Sequence, residues 1–395
     1  MILYIIIAII LFVILCMGYI RIKYPFWAVQ PVFHYYDVHY WFKDVGVIEP
    51  ELPSKNKFYN PKITTYLIQD VPKYKMNEII RLIQTNYILN KENKHNKFIP
   101  TAETLLPYFN SHNDPCYCSI INDSLLLQEL KTNRVIDIDK IIGVITSRPL
   151  HVDMIKQNIQ FDVYYIDYLC VDKSHRKQGI APQLIQTHEY NQRHKTHHIK
   201  VSLFKREDEL TGIMPICAYD TYGFSSETWN VMGHMPILKA DKQNIHPLYD
   251  FIQTNRHLFE LTIFPEISNL LELISTGNIM IYMRMNLEMA AIQCAYFFRK
   301  SCTFITDTTE VLSCFASINS SASQTDFING FKTVVCTIKT EFPAYNYVSI
   351  EKISHSEEII NDLIQKTTPQ ISKTAYFFYN FAYHSFDSKK VLIVN

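Results

Sequence analysis

A mixed α/β fold, with parallel and antiparallel strands in one sheet behind a membrane-crossing helix, is predicted by three features of the sequence. Ile2 to Ile20 is uncharged and apolar throughout, long enough to cross a bilayer core as a helix. Tyr164 to Ile185 reads as a buried strand, a basic turn and the first turns of a helix. Beyond Phe224, helical and strand periodicities alternate. Glu260 to Ser275 and Ile359 to Lys366 repeat as helices, while Met280 to Met285, Ala295 to Phe298, Val311 to Ser317, Thr333 to Ile338 and Tyr345 to Ile350 read as strands.

Taken in order, the apolar run is followed at once by Arg21 and Lys23. Basic residues on that side alone predict an uncleaved single-pass anchor with the rest of the chain facing the cytoplasm. The competing reading, a cleaved signal peptide, lacks a positive residue ahead of the run and a small-x-small cleavage site. Tyr24 to Pro61 is aromatic and punctuated by prolines, as in an extended segment lying over a domain. Its Phe26 and Trp27 suit a place in the core. Lys75 to Leu89 carries Met76, Ile79, Ile80, Leu82 and Ile83 at helical spacing, and Ala102 to Phe109 predicts a second short helix.

Ile141 to Ser147 predicts a buried strand, and Tyr164 to Val171 another in which only Asp167 breaks the apolar run. After it come Arg176, Lys177, Gln178, Gly179, Ile180 and Ala181, with Pro182 opening a helix, where its missing N–H is harmless. The free N–H groups of that helix start, two cations and a glycine admitting close backbone approach make a cradle for a pyrophosphate such as that of coenzyme A. An ordinary strand, solvated basic turn and helix is the alternative. Val201 to Phe204 predicts the next strand, and Asn319 to Gln324 a Ser-rich loop. Arg193, His194, His197 and His198 lie close together, as at a metal or at a solvated helix end; the latter is expected.

With 395 residues, 48% of them hydrophobic, the chain can bury a large core as two domains or one double-sized unit. Its 38 basic and 38 acidic residues cancel, so nothing draws the whole molecule to nucleic acid, and any anion site is local. The 9 cysteines are odd in number and lack paired C-x-x-C spacing, which argues against a zinc site and for reduced thiols. Cys116 and Cys118 read as an incidental pair.

Arg176 to Ala181 fits the acetyltransferase-superfamily pattern Arg/Gln-x-x-Gly-x-Gly/Ala. Tyr168-Leu169-Cys170-Val171, the basic turn and Ile180-Ala181-Pro182-x-Leu184-Ile185 together resemble the acyl-CoA segment of myristoyl-CoA:protein N-myristoyltransferases. Tyr24-Pro25-Phe26-Trp27-Ala28-Val29-Gln30-Pro31-Val32 is similar to that family's Phe-Trp-x-x-Gln-Pro-Val signature. Tyr376 to Phe381 and Lys389 to Asn395 resemble its Tyr-Asn-Trp strand and apolar tail.

The resemblance implies two acetyltransferase-like halves in one compact double unit: an anchor at 1–20, an acyl-CoA half at 21–224, and a second half at 225–395. It implies a monomer that moves myristate from myristoyl-CoA to the N-terminal glycine of proteins, without a metal. Tyr24, Pro25, Phe26, Trp27, Cys170, Val171 and the turn Arg176 to Ala181 would hold the acyl-CoA. The backbone N–H groups of Tyr168 and Leu169 would hold the thioester oxygen, and the α-carboxylate of Asn395 would be the base. The apolar tail Val391 to Val394 suits a buried terminus or simply a last strand. Tyr219, in a weakly similar stretch, would face the peptide. Two departures stand out. The family's acidic run becomes the net basic Leu89 to Lys97, predicting a preference for acidic or neutral peptides, and Ser202 to Lys205 replaces its Tyr-Thr-Ala-Gly turn, with Thr211-Gly212 as a displaced candidate. An anchored acetyl-CoA enzyme and a catalytically silent acyl-CoA scaffold are the rival readings.

Overall fold

The computed structural model describes residues 2–42, 46–87, 96–128, 135–207, 212–230, 235–286, 288 and 291–395. In chain order its helices are α1 (Ile2–Lys23), α2 (Val38–Phe42), α3 (Lys73–Asn86), α4 (Ala102–Leu105), α5 (Ile180–Lys195), α6 (Ile245–Asn255), α7 (Ile267–Ser275), α8 (Gln324–Glu341) and α9 (Ser356–Ile364). The strands of the first part are β1 (Gly46–Val47), β2 (Thr64–Leu67), β3 (Lys97–Phe98), β4 (Tyr117–Gln128), β5 (Val135–Met154), β6 (Ile159–Val171), β7 (Val201–Glu207) and β8 (Cys217–Ser225). Those that follow are β9 (Ile237–Lys239), β10 (Leu261–Phe264), β11 (Ile279–Asn286), β12 (Ala291–Phe304), β13 (Glu310–Asn319), β14 (Tyr347–Glu351), β15 (Gln370–Tyr379), β16 (Phe381–Ala382) and β17 (Val391–Ile393).

Fifteen strands join in one sheet whose main path runs β17-β10-β5-β6-β7-β15-β8-β14-β13-β12-β11-β9. Three neighbour pairs on it are parallel: β10 with β17, β6 with β7, and β13 with β14. The last two are each joined through a crossover helix, α5 and α8, so strand-helix-strand connectivity occurs twice. The repeats are interlocked: β15, late in the chain, lies between β7 and β8, while β8 pairs with β14. The sequence-level division at 224/225 is therefore not a break in the sheet, since β10, β15 and β17 complete the part built by β5 to β7.

The helices cover the sheet for visible reasons. In α3 the buried side chains Met76, Ile79, Ile80, Leu82 and Ile83 fall on one face, at the three- and four-residue spacing that makes a helix amphipathic. Helix α5 comes so close to β5 that a Cβ at Gly143 would stand 2.9 Å from Leu184 Cδ1. Along α1, Tyr4–Lys23 has a mean hydropathy of 2.8 and none of it is buried.

Three expectations need correction. Thr333 to Ile338 lies inside α8, where Phe327, Phe331, Val334, Val335 and Ile338 bury one helical face and the Ser323 hydroxyl caps the start by accepting from the Asp326 N–H; packing overrides the strand propensity of its β-branched residues. Glu260 to Ser275 is a strand and then a helix, because Leu261 to Phe264 fills the gap between β5 and β17 and Pro265 breaks the chain before α7. The helix expected to reach Leu89 ends at Asn86, and Leu89 itself lies outside the described residues.

Candidate active site

The site begins where two parallel strands part. β6 and β7 pair only from Val163↔Val201 to Ile166↔Phe204. Beyond that point β6 stays hydrogen-bonded to β5 as far as Val171, and β7 stays with β15 as far as Glu207. Each strand is held by its outer neighbour, so their ends splay and leave a cleft between them. At the fork the β5–β6 register shifts between Ile145 and Ser147, a bulge that re-aims backbone groups. There the Tyr168 N–H donates to Thr146 Oγ1 at 3.2 Å.

On one side of the fork lies a cavity of about 890 Å3. Tyr24, Pro25, Phe26 and Trp27 wall it from the N-terminal segment, Leu169, Cys170 and Val171 from β6, and Arg176 and Ala181 from the turn. Phe26 meets Trp27 and Phe58 edge-on at 5.0 and 5.1 Å. Trp27 stacks on Phe204, which stacks on Phe377, so this wall is continuous with the core.

The basic turn is arranged differently from the expected cradle in one respect. Gly179 precedes α5 with a left-handed φ of 78°, and Lys177 has φ 64°, leaving the first N–H groups of the helix without intrahelical acceptors. Arg176, however, gives its guanidinium to backbone: Nε donates to the Val171 carbonyl at 3.3 Å and Nη2 to the Asn86 carbonyl. It braces the turn against the end of α3. Lys177, Gln178, Gly179 and Ile180 are off the cavity wall. Gln178 Nε2 donates to the Ser174 carbonyl, and Ile180 is buried beside Leu184 and Ile142.

On the other side of the fork is a second cavity of about 300 Å3, walled in part by Tyr108, Arg148, Tyr168, Arg299, Glu351 and Asn395. Both cavities are lined by Tyr87, Tyr165, Asp167, Lys205 and Glu207, so they meet between the splayed strands. Asn395 is 1% exposed. It is carried there by β17, which runs parallel to β10, and by the Val394 N–H bond to the Ile263 carbonyl at 2.8 Å. Val391 to Val394 are buried; the tail is a last strand and also a route into the cavity. The Asn395 backbone oxygen accepts from Arg299 Nη1 at 3.4 Å, and its side-chain oxygen accepts from Arg299 Nη1 and the Tyr376 hydroxyl.

Two buried ion clusters frame this cavity. Arg148 Nε donates to Asp167 at 2.9 Å, and its guanidinium lies 5.2 Å from the ring centres of Tyr108 and Tyr165. Burial pushes the Asp167 carboxyl up in spite of Arg148. Glu351 accepts from Lys205 Nζ and Arg299 Nη2, both at 2.8 Å, and from the Tyr219 hydroxyl. Burial raises its carboxyl, but Lys205 and Arg299 outweigh that and hold it below its ordinary range. Tyr219 thus touches the site through Glu351 and lies on neither cavity wall.

Arg148, Lys205, Arg299 and Glu351 were missed in the sequence reading. Their signal was a charge set inside or at the end of an apolar strand, the same signal that Asp167 gave. On the peptide side, Lys91, Lys94 and Thr211 lie outside the described residues; Lys97 pairs with Asp307 at 2.8 Å, and the Gly212 carbonyl accepts from the Tyr35 N–H. Arg193 is not at a solvated end. It is buried, with Nη2 donating to the carbonyls of Pro50 and Glu51. Among the described residues no group of three or more His, Cys, Asp or Glu is placed to hold a metal.

The model of the family described as myristoyl-CoA:protein N-myristoyltransferase, N-terminal domain, matches residues 119–217, which contain the fork and the basic turn. No curated protein sequence matches the chain significantly. Among solved structures, Saccharomyces cerevisiae N-myristoyltransferase with bound myristoyl-CoA is similar over 94% of this chain and 99% of that one, at 13% identity and a TM-score of 0.71. A structure of the yeast enzyme with bound myristoyl-CoA and inhibitors is similar over 94% of each chain, at 13% identity and a TM-score of 0.71. Residues 119–217 of this chain therefore resemble the N-myristoyltransferases in sequence, and the chain has their fold.

Proposed function

We propose that the protein transfers a long-chain acyl group, myristoyl, from acyl-CoA to the N-terminal glycine amine of a protein substrate. The observation that carries this reading is the junction: an apolar-walled cavity and a second cavity holding Asn395 meet between β6 and β7. The turn ahead of α5 binds the pyrophosphate through helix N–H groups, while Phe26 and Trp27 line the acyl chain's path. The thioester oxygen lies at the bulge, where it displaces Thr146 Oγ1 from the Tyr168 N–H and is also met by the Leu169 N–H. Such donors act on the charge developing in the transition state, and removing one typically costs about 2.7–4 kcal/mol.

The substrate's α-ammonium enters the second cavity and gives one proton to the Asn395 α-carboxylate, and the resulting amine attacks the thioester carbon. The C–S bond breaks, and the second amine proton leaves with the coenzyme A thiolate as the free thiol. In water that transfer is uphill by roughly 4 to 5 pK units, about 6 kcal/mol, and burial of both groups narrows the gap. A cavity of this size with an aromatic wall is not needed for acetyl-CoA. We further propose that α1 is a single-pass anchor with the catalytic part on the cytoplasmic face, on the strength of its length, its apolarity and the Arg21/Lys23 flank.

Calorimetric titration tests the acyl assignment. At about 0.8 kcal/mol per buried CH2, four methylenes give roughly 200-fold, so myristoyl-CoA is expected to bind at least about 200-fold tighter than acetyl-CoA. Equal affinities would overturn the reading.

A further inference from the structure

The N-terminal segment presents an apolar surface that neither cavity uses. Val38, Trp41 and Phe42 stand at i, i+3 and i+4 of α2, hence on one face, and all three are exposed, Phe42 by 88%. Tyr35 and Val29 add to them. The patch is ordered by what lies beneath it. Trp41 packs on Phe33 and His384 at 5.5 and 5.2 Å, and its Nε1 donates to the Tyr35 carbonyl at 3.1 Å. It stands next to α1: Met17, Ile20 and Arg21 line one cleft of about 570 Å3 together with Val29, Val38, His39 and Tyr40.

We propose that the face made by Val29, Tyr35, Val38, Trp41 and Phe42 beds in the headgroup layer of the bilayer that α1 crosses, as an interfacial collar. This rests on the reading of α1 as an anchor. Three observations select a lipid surface over another protein. The patch lies beside the basic last turn of α1, the level at which a spanning helix leaves the hydrocarbon. It carries Trp41 and Tyr35, whose rings combine an apolar body with a polar group and favour that layer. It is also contiguous in sequence with Lys23 to Trp27, which leave α1 and line the larger cavity. A helix alone leaves the domain free to swing about Tyr24; a collar fixes one orientation and holds the cavity's N-terminal wall against the membrane, where acyl-CoA and an acylated product both partition.

The test uses the full chain in phosphatidylcholine vesicles, with Trp27→Phe and Trp229→Phe leaving Trp41 as the sole tryptophan. Lipids brominated near the glycerol are expected to quench Trp41 at least about twofold more than lipids brominated at the chain ends, and acrylamide to quench it weakly. Val38→Asp with Phe42→Asp, both at exposed positions, should abolish lipid quenching while carbonate-resistant association persists. Resistance to carbonate with Trp41 quenched only by acrylamide overturns the collar and leaves the anchor standing. Shielding of Trp41 from both quenchers overturns it in favour of a protein partner or a second copy. Carbonate extraction with no lipid quenching removes anchor and collar together, whereas extraction with Trp41 still quenched by lipid removes the anchor and overturns the collar as an addition to it, leaving a peripheral lipid contact.

Discussion

Asn395 and Glu351 divide the cationic neighbourhood of the inner cavity between them. Glu351 engages both Lys205 and Arg299 at 2.8 Å, while Arg299 reaches the Asn395 backbone oxygen only at 3.4 Å. A carboxylate clamped by an unopposed arginine would be a poor base; if the terminal carboxylate is the proposed base, Glu351 is the group that opposes Arg299 beside it. Glu351→Gln strips two buried cations of their shared anion, and losing one partner of such a pair costs about 3–5 kcal/mol. Urea denaturation should show that loss, with activity falling further than the folded fraction. If the α-carboxylate is the base, its position decides and the side chain does not. One alanine appended after Asn395 moves the carboxylate by about 3.5 Å along an extended chain, where about 1 Å can cost roughly 100-fold. Acyl transfer should vanish with acyl-CoA binding intact, while Asn395→Gln keeps most activity; a fully active extended enzyme would sink the mechanism.

Helix α5 serves the site at its start and carries a polar inner face along its length. His188 stands between the hydroxyls of Ser119 and Ser147, at 2.8 and 2.9 Å, and burial lowers its pKa to about 3, so it works there as a neutral ring. Glu189 accepts from the Ser202 hydroxyl at 3.0 Å, and burial pushes its carboxyl up to about 7 from 4.5. The folded protein therefore holds this proton where the unfolded chain has released it. Its stabilising effect is complete below pH 4.5 and is lost as pH rises to 7, by about 3 kcal/mol at most. Glu189→Gln keeps an acceptor for Ser202 and removes the dependence. The variant should gain stability over the parent at pH 8 and gain little at pH 5, as read from urea midpoints at the two values; an equal gain at both would mean that Glu189 is not protonated in the fold.

For the whole molecule, the proposed anchor and the interlocked sheet each make a prediction. If α1 spans the bilayer with Arg21 and Lys23 on the cytoplasmic side, protease added to the cytoplasmic face of sealed membranes should reach the globular part, and protease on the other face should not. Because β15 lies between β7 and β8, and β17 continues the sheet beyond β10, the two sequence halves cannot unfold separately without exposing one another's strand edges. A single transition is expected for the described globular part, which argues against treating 225–395 as a unit that folds alone.

Local sequence was sufficient where structure depends on neighbours in the chain. The apolar run of α1, the strand-turn-helix around Gly179 and the aromatic entry at Phe26-Trp27 were legible, because hydrophobic period, proline placement and glycine freedom act over a few residues. The α8 error shows the limit. Val334 and Val335 have strand propensity, yet a face completed by Phe327, Phe331 and Ile338 against the sheet settles the matter. The inner cavity was out of reach for the same reason. Arg148, Lys205, Arg299, Glu351 and Asn395 come from five separate strands or tails, brought together only when β6 and β7 splay and β17 delivers the chain's last residue. Their charges read in sequence as isolated interruptions, and burial makes them a site, since a charge removed from water must find a partner. The sequence by itself determined the strand, basic turn and helix around Gly179; the tertiary structure decided which charges face the fork and how Asn395 reaches it.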